Sequence, residues 1–547
     1  MNNDYVVKRC LLVFFAVLAM CLLMEGKSVF AAGSPDTEVP AEKLRQIESL
    51  QLQKAEPGRK EVAEVNVAPA KELTFTLEQC RALALENNLD LKVQLINPTI
   101  AAQRVTEEQA KFEAAFFTNV SFYGNNTPAV SYLDQITGSK VDFLRTDLGV
   151  RLPLQTGGTV TFDVVDSRTQ TDAELTVFNP YYSSDLSLSI SQPLLRNAGK
   201  RASTYSIQLA KYERQATDAR TKLEVIKVVA AIDRVYWRLY AARKELDVRK
   251  KQYDLAKAQL EQARRFVDSG ERAPIEVIRA EAGVAQQLEA IIVAENSLRD
   301  RQRELKRVIN KVGLDMQTPT VVIPATEPDP VRYQLEQQAL VRLAVENRME
   351  MLELELQIAE DAARVDYMRS QALPLATLDY TYNINGLGAS RSDSFDLLSE
   401  RRYADHRLGL QVLVPLGNEA AQSRVRQAVY QKRQRLASRE SRRAIIEMEV
   451  LNAIDQVEAN WQRILAGRQT TILEGRLFEA EKRQFELGLN TTNDVLRAQT
   501  SFADSQRAEI AALTEYQIAL VDMAYATGTL LGAAKVQWEP LIPDSGK

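Results

Sequence analysis

Two hydrophobic periods run through this 547-residue chain. Some long stretches carry an apolar residue at every seventh position, which is typical of coiled-coil helices, and six short stretches alternate apolar with polar residues, which is typical of β-strands. The first seventh-position series is Val225, Ile232, Leu239, Leu246, Tyr253, Leu260 and Val267. The pattern therefore predicts a mainly α-helical protein that also contains a sheet.

The six alternating stretches each predict a strand with one oily face and one polar face. They are residues 120–124, 144–152, 159–165, 185–191, 378–384 and 407–414. The predicted helices beside them are too long to fold back over the oily face, which favours lipid as its cover. Lipid tolerates strands only in a closed barrel. Six charged residues lie on the opposite face and would line the barrel lumen: Arg145, Asp147, Arg151, Asp163, Asp379 and Arg407.

The chain contains two internal repeats. The segment LALENNLDL at 83–91 matches LAVENRMEM at 343–351 with an offset of 260, and GERAPIEVIRAE at 270–281 matches GLNTTNDVLRAQ at 488–499 with an offset of 218. The difference between the offsets means that the first repeat holds 42 more residues than the second. Most of this surplus must lie in the strand-rich stretch before Gln192.

The same patterns predict the domain organisation. A basic start and an apolar run predict a signal peptide at 1–31, although Cys21 leaves a lipoprotein signal open, and a polar extension follows at 32–72. A proline-rich linker at 315–334 separates the repeats, and a tail occupies 533–547. The first repeat (73–314) is predicted to contain a helix, strands in 118–193, a long helix at 200–268 and a return helix at 274–312. The second repeat (335–532) is predicted to contain a helix, strands in 375–415, a long helix at 419–487 and a return helix at 491–531.

Composition argues against several classes of protein. The net charge of −4 offers no basic field for nucleic acid. His406 is the only histidine, and the sequence contains neither a glycine-rich nucleotide loop nor a paired-cysteine motif. We therefore expect a protein that is not an enzyme and that carries no cofactor and no metal. No stretch after the leader is apolar enough for a membrane helix.

The ordered set of motifs, present twice, resembles the TolC-like outer membrane efflux protein family. The resemblance rests on ALENN and AVENR, on the turns before EVIRAE and DVLRAQ, and on SQPLLRNAGK at 191–200. It implies a homotrimer that forms one β-barrel in the outer membrane, continued by a periplasmic α-helical coiled-coil tunnel. The implied function is the passive exit channel of a tripartite efflux or type I secretion system, with a periplasmic adaptor and an inner-membrane pump as partners. A soluble periplasmic coiled-coil adaptor or scaffold remains the alternative.

The resemblance also implies functional residues at the tips of the helical hairpins. It places Glu276 and Asp494 around the periplasmic aperture, with the alternative that each is a solvated charge favoured by the helix dipole. It places adaptor docking at the turns, which contain Ser269, Gly270, Leu487, Gly488 and Leu489. Phe485 and Asn490 stand where the family can have a tyrosine and an arginine that hold the aperture closed, so latching by those contacts is doubtful here.

The number of strands departs from the family pattern. Members usually supply four strands per chain, and six are predicted here. The surplus of 42 residues is the right size for one added hairpin. We therefore expect a barrel of eighteen strands, with the alternative that residues 153–183 form an external hairpin on a barrel of twelve.

Overall fold

The computed structural model describes residues 72–128, 136 and 138–537. The predicted signal peptide, the predicted extension apart from Glu72, and residues 538–547 of the predicted tail lie outside the described residues. Within the described part, none of the helices contains a segment long and apolar enough to cross a membrane.

Two very long helices dominate the structure. One has 64 residues and the other 68, so at 1.5 Å per residue each is about 100 Å long. Each is followed by a 35-residue return helix. The helices are α1 (Leu77–Asn87), α2 (Leu89–Gln94), α3 (Asn97–Ala110), α4 (Lys200–Ser203), α5 (Tyr205–Asp268), α6 (Ile275–Ile309), α7 (Gln337–Asn347), α8 (Met349–Gln371), α9 (Arg391–Ser399), α10 (Glu419–Glu486), α11 (Thr492–Ala526) and α12 (Leu530–Ala533).

The alternating stretches form one antiparallel sheet of six strands. Its strands, in spatial order, are β2 (Ala115–Asn126), β3 (Lys140–Pro153), β4 (Thr159–Thr171), β5 (Tyr181–Pro193), β7 (Leu375–Gly388) and β8 (Ala404–Leu413). Residues 153–183, which the sequence also allowed as an external hairpin, contribute β4 to the interior of this sheet. Two short strands, β1 (Glu72–Phe75) and β6 (Val321–Pro324), pair in parallel elsewhere.

The register of the sheet separates its two faces cleanly. Every residue pairs with a residue of the same parity, as in Leu148 with Val164 and Asp163 with Ser187. Since successive side chains point to opposite faces, all even-numbered residues share one face and all odd-numbered residues the other. The even face carries most of the large apolar side chains. The odd face carries most of the serines, threonines and charged groups.

A short helix that the sequence analysis did not predict lies on the even face of the sheet. Ser390 and Asp393 cap the start of α9, which lies between β7 and β8. The Ser394 hydroxyl on α9 is 2.7 Å from the hydroxyl of Ser184 on β5. Because the carbonyl of Ser394 lies against Gly386, a Cβ at that glycine would be 2.0 Å from the oxygen. The helix therefore covers the ends of β5 and β7 that are farthest from the long helices.

The main core lies where the two short strands meet the helices. It contains Cys80 from α1, Ile232 and Leu239 from α5, Leu305 from α6 and Val322 from β6. These residues come from distant parts of the first repeat and the linker, so the core ties the linker to the helical hairpin.

One buried ion pair and one tyrosine connect this core to its surroundings. Arg81 donates two hydrogen bonds of 2.7 Å to the buried carboxylate of Asp233. Tyr236 donates to the Phe75 carbonyl at 3.2 Å and accepts from the Thr326 amide at 2.8 Å. The Asp233 and Tyr236 side chains that α5 brings into this core are thus hydrogen-bonded.

The seventh-position seam of α5 holds only in its first half. Val225, Ile232, Leu239 and Leu246 are buried, whereas Tyr253, Leu260 and Val267 are only half-buried in one chain. Toward the hairpin tip the buried positions are instead Gln252, Ala256, Gln259 and Ala263. The small side chains of Ala256 and Ala263 let neighbouring helices approach closely. The side-chain amide of Gln499 on α11 also donates to the backbone carbonyl of Gln252, at 2.9 Å.

Candidate functional site

The two turns at the hairpin tips have the same backbone geometry. Gly270 and Gly488 both have φ of +80°, the left-handed conformation that glycine adopts most easily. In the first turn the amide of Glu271 donates to the carbonyl of Phe266, and in the second the amide of Leu489 donates to the carbonyl of Gln484, both at 2.9 Å. This is the Schellman end of a helix, formed twice.

Glu276, in the first turn of α6, connects the two tips. Its side chain is buried, and one carboxylate oxygen accepts from the backbone amide of Thr492, the first residue of α11, at 3.0 Å. The other oxygen accepts from Arg279 at 2.8 Å. Burial alone would raise the pKa of Glu276, but the hydrogen bonding from Thr492 and the nearby Arg279 and Arg272 hold it below its ordinary value. The carboxylate of one repeat thus satisfies a free amide at the start of the return helix of the other.

Asp494, the repeat equivalent of Glu276, has different surroundings. It is exposed, and its carboxylate accepts from the amide and the hydroxyl of Thr491 at 3.0 and 2.7 Å. These hydrogen bonds hold the pKa of Asp494 below its ordinary value. Asp494 therefore caps its own helix and keeps a charge at the surface of the tip.

Phe485 and Asn490, which the resemblance places at the positions of the expected latch, make contacts within one chain. Phe485 is buried against Phe266, with ring centroids 5.8 Å apart, and the guanidinium of Arg272 lies 5.3 Å from the Phe485 ring centroid. The same guanidinium donates to the carbonyl of Asn490 at 3.0 Å. The Asn490 amide donates to Gln484 at 2.7 Å and also to Glu481.

Arg272 is a tip residue that the sequence analysis missed. Its guanidinium donates to the carbonyl of Asn490 in the second turn. The repeat offset of 218 makes Arg272 and Asn490 equivalent positions of the two repeats. Since Asn490 had been singled out in the sequence analysis, this equivalence could have drawn attention to Arg272.

The predicted docking turns lie at the surface. Leu487 and Leu489 are each 74% exposed, and Ser269, Gly270 and Gly488 are also exposed. Ile275 and Ile278 of α6 are further exposed apolar residues near the tip, and the sequence analysis did not single them out. The tip thus combines exposed apolar side chains with two turns of the same geometry, and exposed apolar surface of this kind suits a protein contact.

The six residues predicted to line the lumen all lie on the odd face of the sheet. Asp163 accepts from the Ser187 hydroxyl at 2.7 Å, and Arg145 donates to Asp147 at 2.6 Å. Arg151, Asp379 and Arg407 share this face by the register. Two further aspartates on this face were missed: Asp185 is the first residue of its alternating stretch, and Asp405 lies two residues before the stretch 407–414. With both included, this face carries five aspartates and three arginines.

Comparison with known proteins identifies the family. The sequence model described as outer membrane efflux protein matches residues 159–311 and 340–529, which is more than half of the chain. The chain belongs to the outer membrane efflux protein family. Outer membrane protein TolC of Vibrio cholerae is 23% identical to it over 336 residues, which is 60% of this chain and 74% of TolC.

Solved outer-membrane channels have the same fold as this efflux protein. The VceC protein of Vibrio cholerae superposes with a TM-score of 0.61 at 14% identity, covering 83% of this chain and 96% of VceC. The CmeC channel of Campylobacter jejuni superposes with a TM-score of 0.61 at 14% identity, covering 88% of this chain and 94% of CmeC.

Family and fold together define the architecture. This outer membrane efflux protein is an outer-membrane channel in which a β-barrel is continued by a periplasmic α-helical tunnel, built from two repeats. The family consists of channels and not of enzymes. In the described ranges no group of three or more histidine, cysteine, aspartate or glutamate side chains could hold a metal ion.

Proposed function

We propose that this efflux protein is the passive exit channel of a tripartite efflux or type I secretion system, in which an adaptor and an inner-membrane pump deliver the cargo. The observation that carries the proposal is the joining of a sheet with one apolar face to two long hairpins that end in matched turns. The apolar even face is suited to contact with lipid. The odd face, which carries charged and hydroxyl groups, is suited to line a water-filled lumen.

At the periplasmic end, Asp494 is the carboxylate that is available to the aperture. It is exposed in the chain, whereas Glu276 is buried and bound to Thr492. Around a threefold axis, three copies of Asp494 would form a ring of negative charge that attracts cations and excludes anions. Glu276 contributes to the aperture by joining the two turns in each chain.

The adaptor docks on the turns at the two tips. Leu487 and Leu489 supply exposed apolar surface on the second turn, and the left-handed Gly270 and Gly488 set the shape of the first and second turns. A partner that offers a complementary apolar tip would bury these leucines. Leu489→Ser should therefore weaken adaptor binding, measured with the candidate adaptor by surface plasmon resonance, without changing conductance in lipid alone.

The test of the channel function is conductance of the purified protein in a planar bilayer under a KCl gradient. We expect the current to rise in discrete steps as single channels insert. The reversal potential under the KCl gradient should have the sign that indicates a preference for cations over anions. Asp494→Asn should reduce this preference, whereas Asp504→Asn, the same substitution at an exposed site farther along α11, should not. A protein that stays in the periplasmic fraction without detergent and gives no conductance would instead be a soluble adaptor or scaffold.

A further inference from the structure

Basic residues are concentrated where the sheet joins the long helices. From Ser187 to Tyr212, which covers the end of β5 and the start of α5, the chain has no acidic residue and four basic ones: Arg196, Lys200, Arg201 and Lys211. From Ala420 to Arg439, in the first part of α10, it has no acidic residue and six basic ones. Both long helices thus leave the sheet through a basic segment, although the net charge of the chain is −4.

The connections at the opposite end of the sheet have no such excess. Residues 172–180, between β4 and β5, include two acidic residues and no basic one. Residues 389–403, between β7 and β8, include three acidic and three basic residues. Because the helical tunnel is periplasmic, the basic segments lie on the periplasmic side of the barrel and these connections on the exterior side.

The ladder between β5 and β7 shows that Arg196 lies on the even face of the sheet. The backbone amides of Leu194 and Arg196 donate to the carbonyls of Ala376 and Pro374, at 2.7 and 3.2 Å respectively. These hydrogen bonds continue the register of the two strands beyond their ends. Since even-numbered residues share one face, Leu194 and Arg196 extend the face that carries the apolar side chains of β5. Leu194 is 47% exposed there.

The length of this face places Arg196 at the edge of the hydrocarbon. Along β5 the even face is apolar from Leu186 to Leu194 except at Gln192. At about 3.4 Å per residue and a tilt of about 40°, this stretch spans about 21 Å along the membrane normal. The apolar band of a membrane barrel is about 25 Å tall. Arg196, two residues farther along the chain, therefore lies at the level of the lipid headgroups.

The backbone that follows β5 is fixed against the turn between β3 and β4. The amide of Gly199 donates to the carbonyl of Thr156 in that turn, at 3.0 Å. Lys200 and Arg201, the first two residues of α4, come directly after this contact, and both are exposed. Their charges are thus held close to the end of the strand that carries Arg196.

We propose that Leu194, Arg196, Lys200 and Arg201, here called the basic rim, bind anionic phospholipid headgroups in the leaflet of the outer membrane that faces the periplasm. The order of an apolar side chain followed by positive charges matches the order of acyl chain and headgroup in a lipid. The rim is continuous with the apolar even face, which favours a lipid over an acidic protein as its partner. The inference goes beyond the proposed function, since it requires only that the sheet lies in the membrane.

Fluorescence quenching measures which lipid lies beside the basic rim. Leu194→Trp places a reporter at the edge of the apolar face, and the emission of the unsubstituted protein is subtracted. The full chain is reconstituted in an equal mixture of phosphatidylglycerol and phosphatidylcholine, and the acyl chains of one lipid at a time are brominated. We expect brominated phosphatidylglycerol to quench the reporter more than brominated phosphatidylcholine. The difference should shrink when KCl is raised from about 0.05 M to about 0.5 M, because salt screens the attraction.

Two charge-matched double substitutions identify the source of this preference. One basic residue near an anionic membrane surface is worth about a fivefold change in affinity. Lys200→Gln with Arg201→Gln should therefore lower the preference by up to about 25-fold. Lys250→Gln with Lys251→Gln removes two exposed lysines of α5 that lie about 70 Å farther along the helix, and it should leave the preference unchanged.

A charge-retaining variant controls for damage to the fold. Lys200→Arg with Arg201→Lys keeps both charges and should keep the preference, and circular dichroism should show the same helix content in every variant. Equal quenching by the two brominated lipids would overturn the proposal, and it is also the result expected if the rim bound an acidic protein instead. An unchanged preference in Lys200→Gln with Arg201→Gln would overturn it as well. The measurement needs no adaptor, pump or cargo, so its result is independent of the proposed exit-channel function.

Discussion

The carboxylate of Glu276 provides the sharpest test of how the tip is held together. It is the acceptor for the buried amide of Thr492, although the two residues are 216 positions apart in sequence. Glu276→Ala removes this acceptor and leaves the amide buried without a partner. An unsatisfied buried donor costs about 1 to 3 kcal/mol, so we expect the start of α11 to lose about 2 kcal/mol of local stability.

Hydrogen exchange measures this loss directly. At about 1.4 kcal/mol per tenfold change, a loss of about 2 kcal/mol should speed exchange of the amides around Thr492 by about 30-fold. Glu276→Gln keeps an oxygen that can accept from Thr492 but loses the charge that Arg279 and Arg272 favour, so its exchange should lie between those of the wild type and Glu276→Ala. Glu281→Gln is the matched control, because it removes an exposed carboxylate of α6 that pairs only with the exposed Arg264.

The same variants distinguish a hydrogen-bonding role from a purely electrostatic one. If Glu276 acted only through its charge, Glu276→Gln and Glu276→Ala would change exchange and conductance equally. Unchanged exchange around Thr492 in Glu276→Ala would refute the reasoning. The Glu281→Gln control shows whether removing any negative charge from α6 changes exchange around Thr492.

The pH dependence of the tip follows from the lowered pKa of Glu276. A carboxyl whose pKa is lower in the folded state stabilises the fold above its unfolded pKa, and this contribution is lost as the pH falls through the folded value. The ordinary value is 4.5, so exchange around Thr492, corrected for the intrinsic rate, should be constant above about pH 5 and should rise below pH 4. In Glu276→Gln this rise should be smaller.

Three further predictions concern other parts of the protein. Gly386→Ala should displace α9 and speed trypsin cleavage between residues 389 and 403, because the added Cβ would collide with the backbone carbonyl oxygen of Ser394. Gly409→Ala is the control and should be tolerated, since a Cβ at Gly409 meets open space. Arg81→Met should lower the stability of the isolated protein by about 3 to 5 kcal/mol in denaturant titration, since Asp233 stays buried without its partner, and adding Asp233→Leu should recover most of the loss. Burial, together with the nearby charge of Asp233, raises the pKa of the Cys80 thiol to about 12. A maleimide at pH 8 should therefore label Cys80 only after denaturation. Labelling of Cys80 in the native protein would contradict the structure.

The sequence determined the elements of this protein because their signals are local. Alternation along a strand places Asp163 and Phe162 on opposite faces wherever the strand lies, and glycine at 270 and 488 ends a helix by backbone conformation alone. The same holds for the six strands, whose alternation does not depend on their neighbours. The signal for α9 was present too, since Ser390 and Asp393 have the spacing of a capping box, although the sequence analysis did not use it.

Only the tertiary structure decided which of these elements meet. The repeat relates Glu276 to Asp494 and suggests equal roles, yet one is buried against Thr492 and the other is exposed. In the same way, the seam of α5 continues in sequence to Val267, whereas the buried positions shift to Gln252 and its neighbours. Spacing fixes what a segment can present, but burial and hydrogen bonding depend on partners that lie hundreds of residues away in the chain.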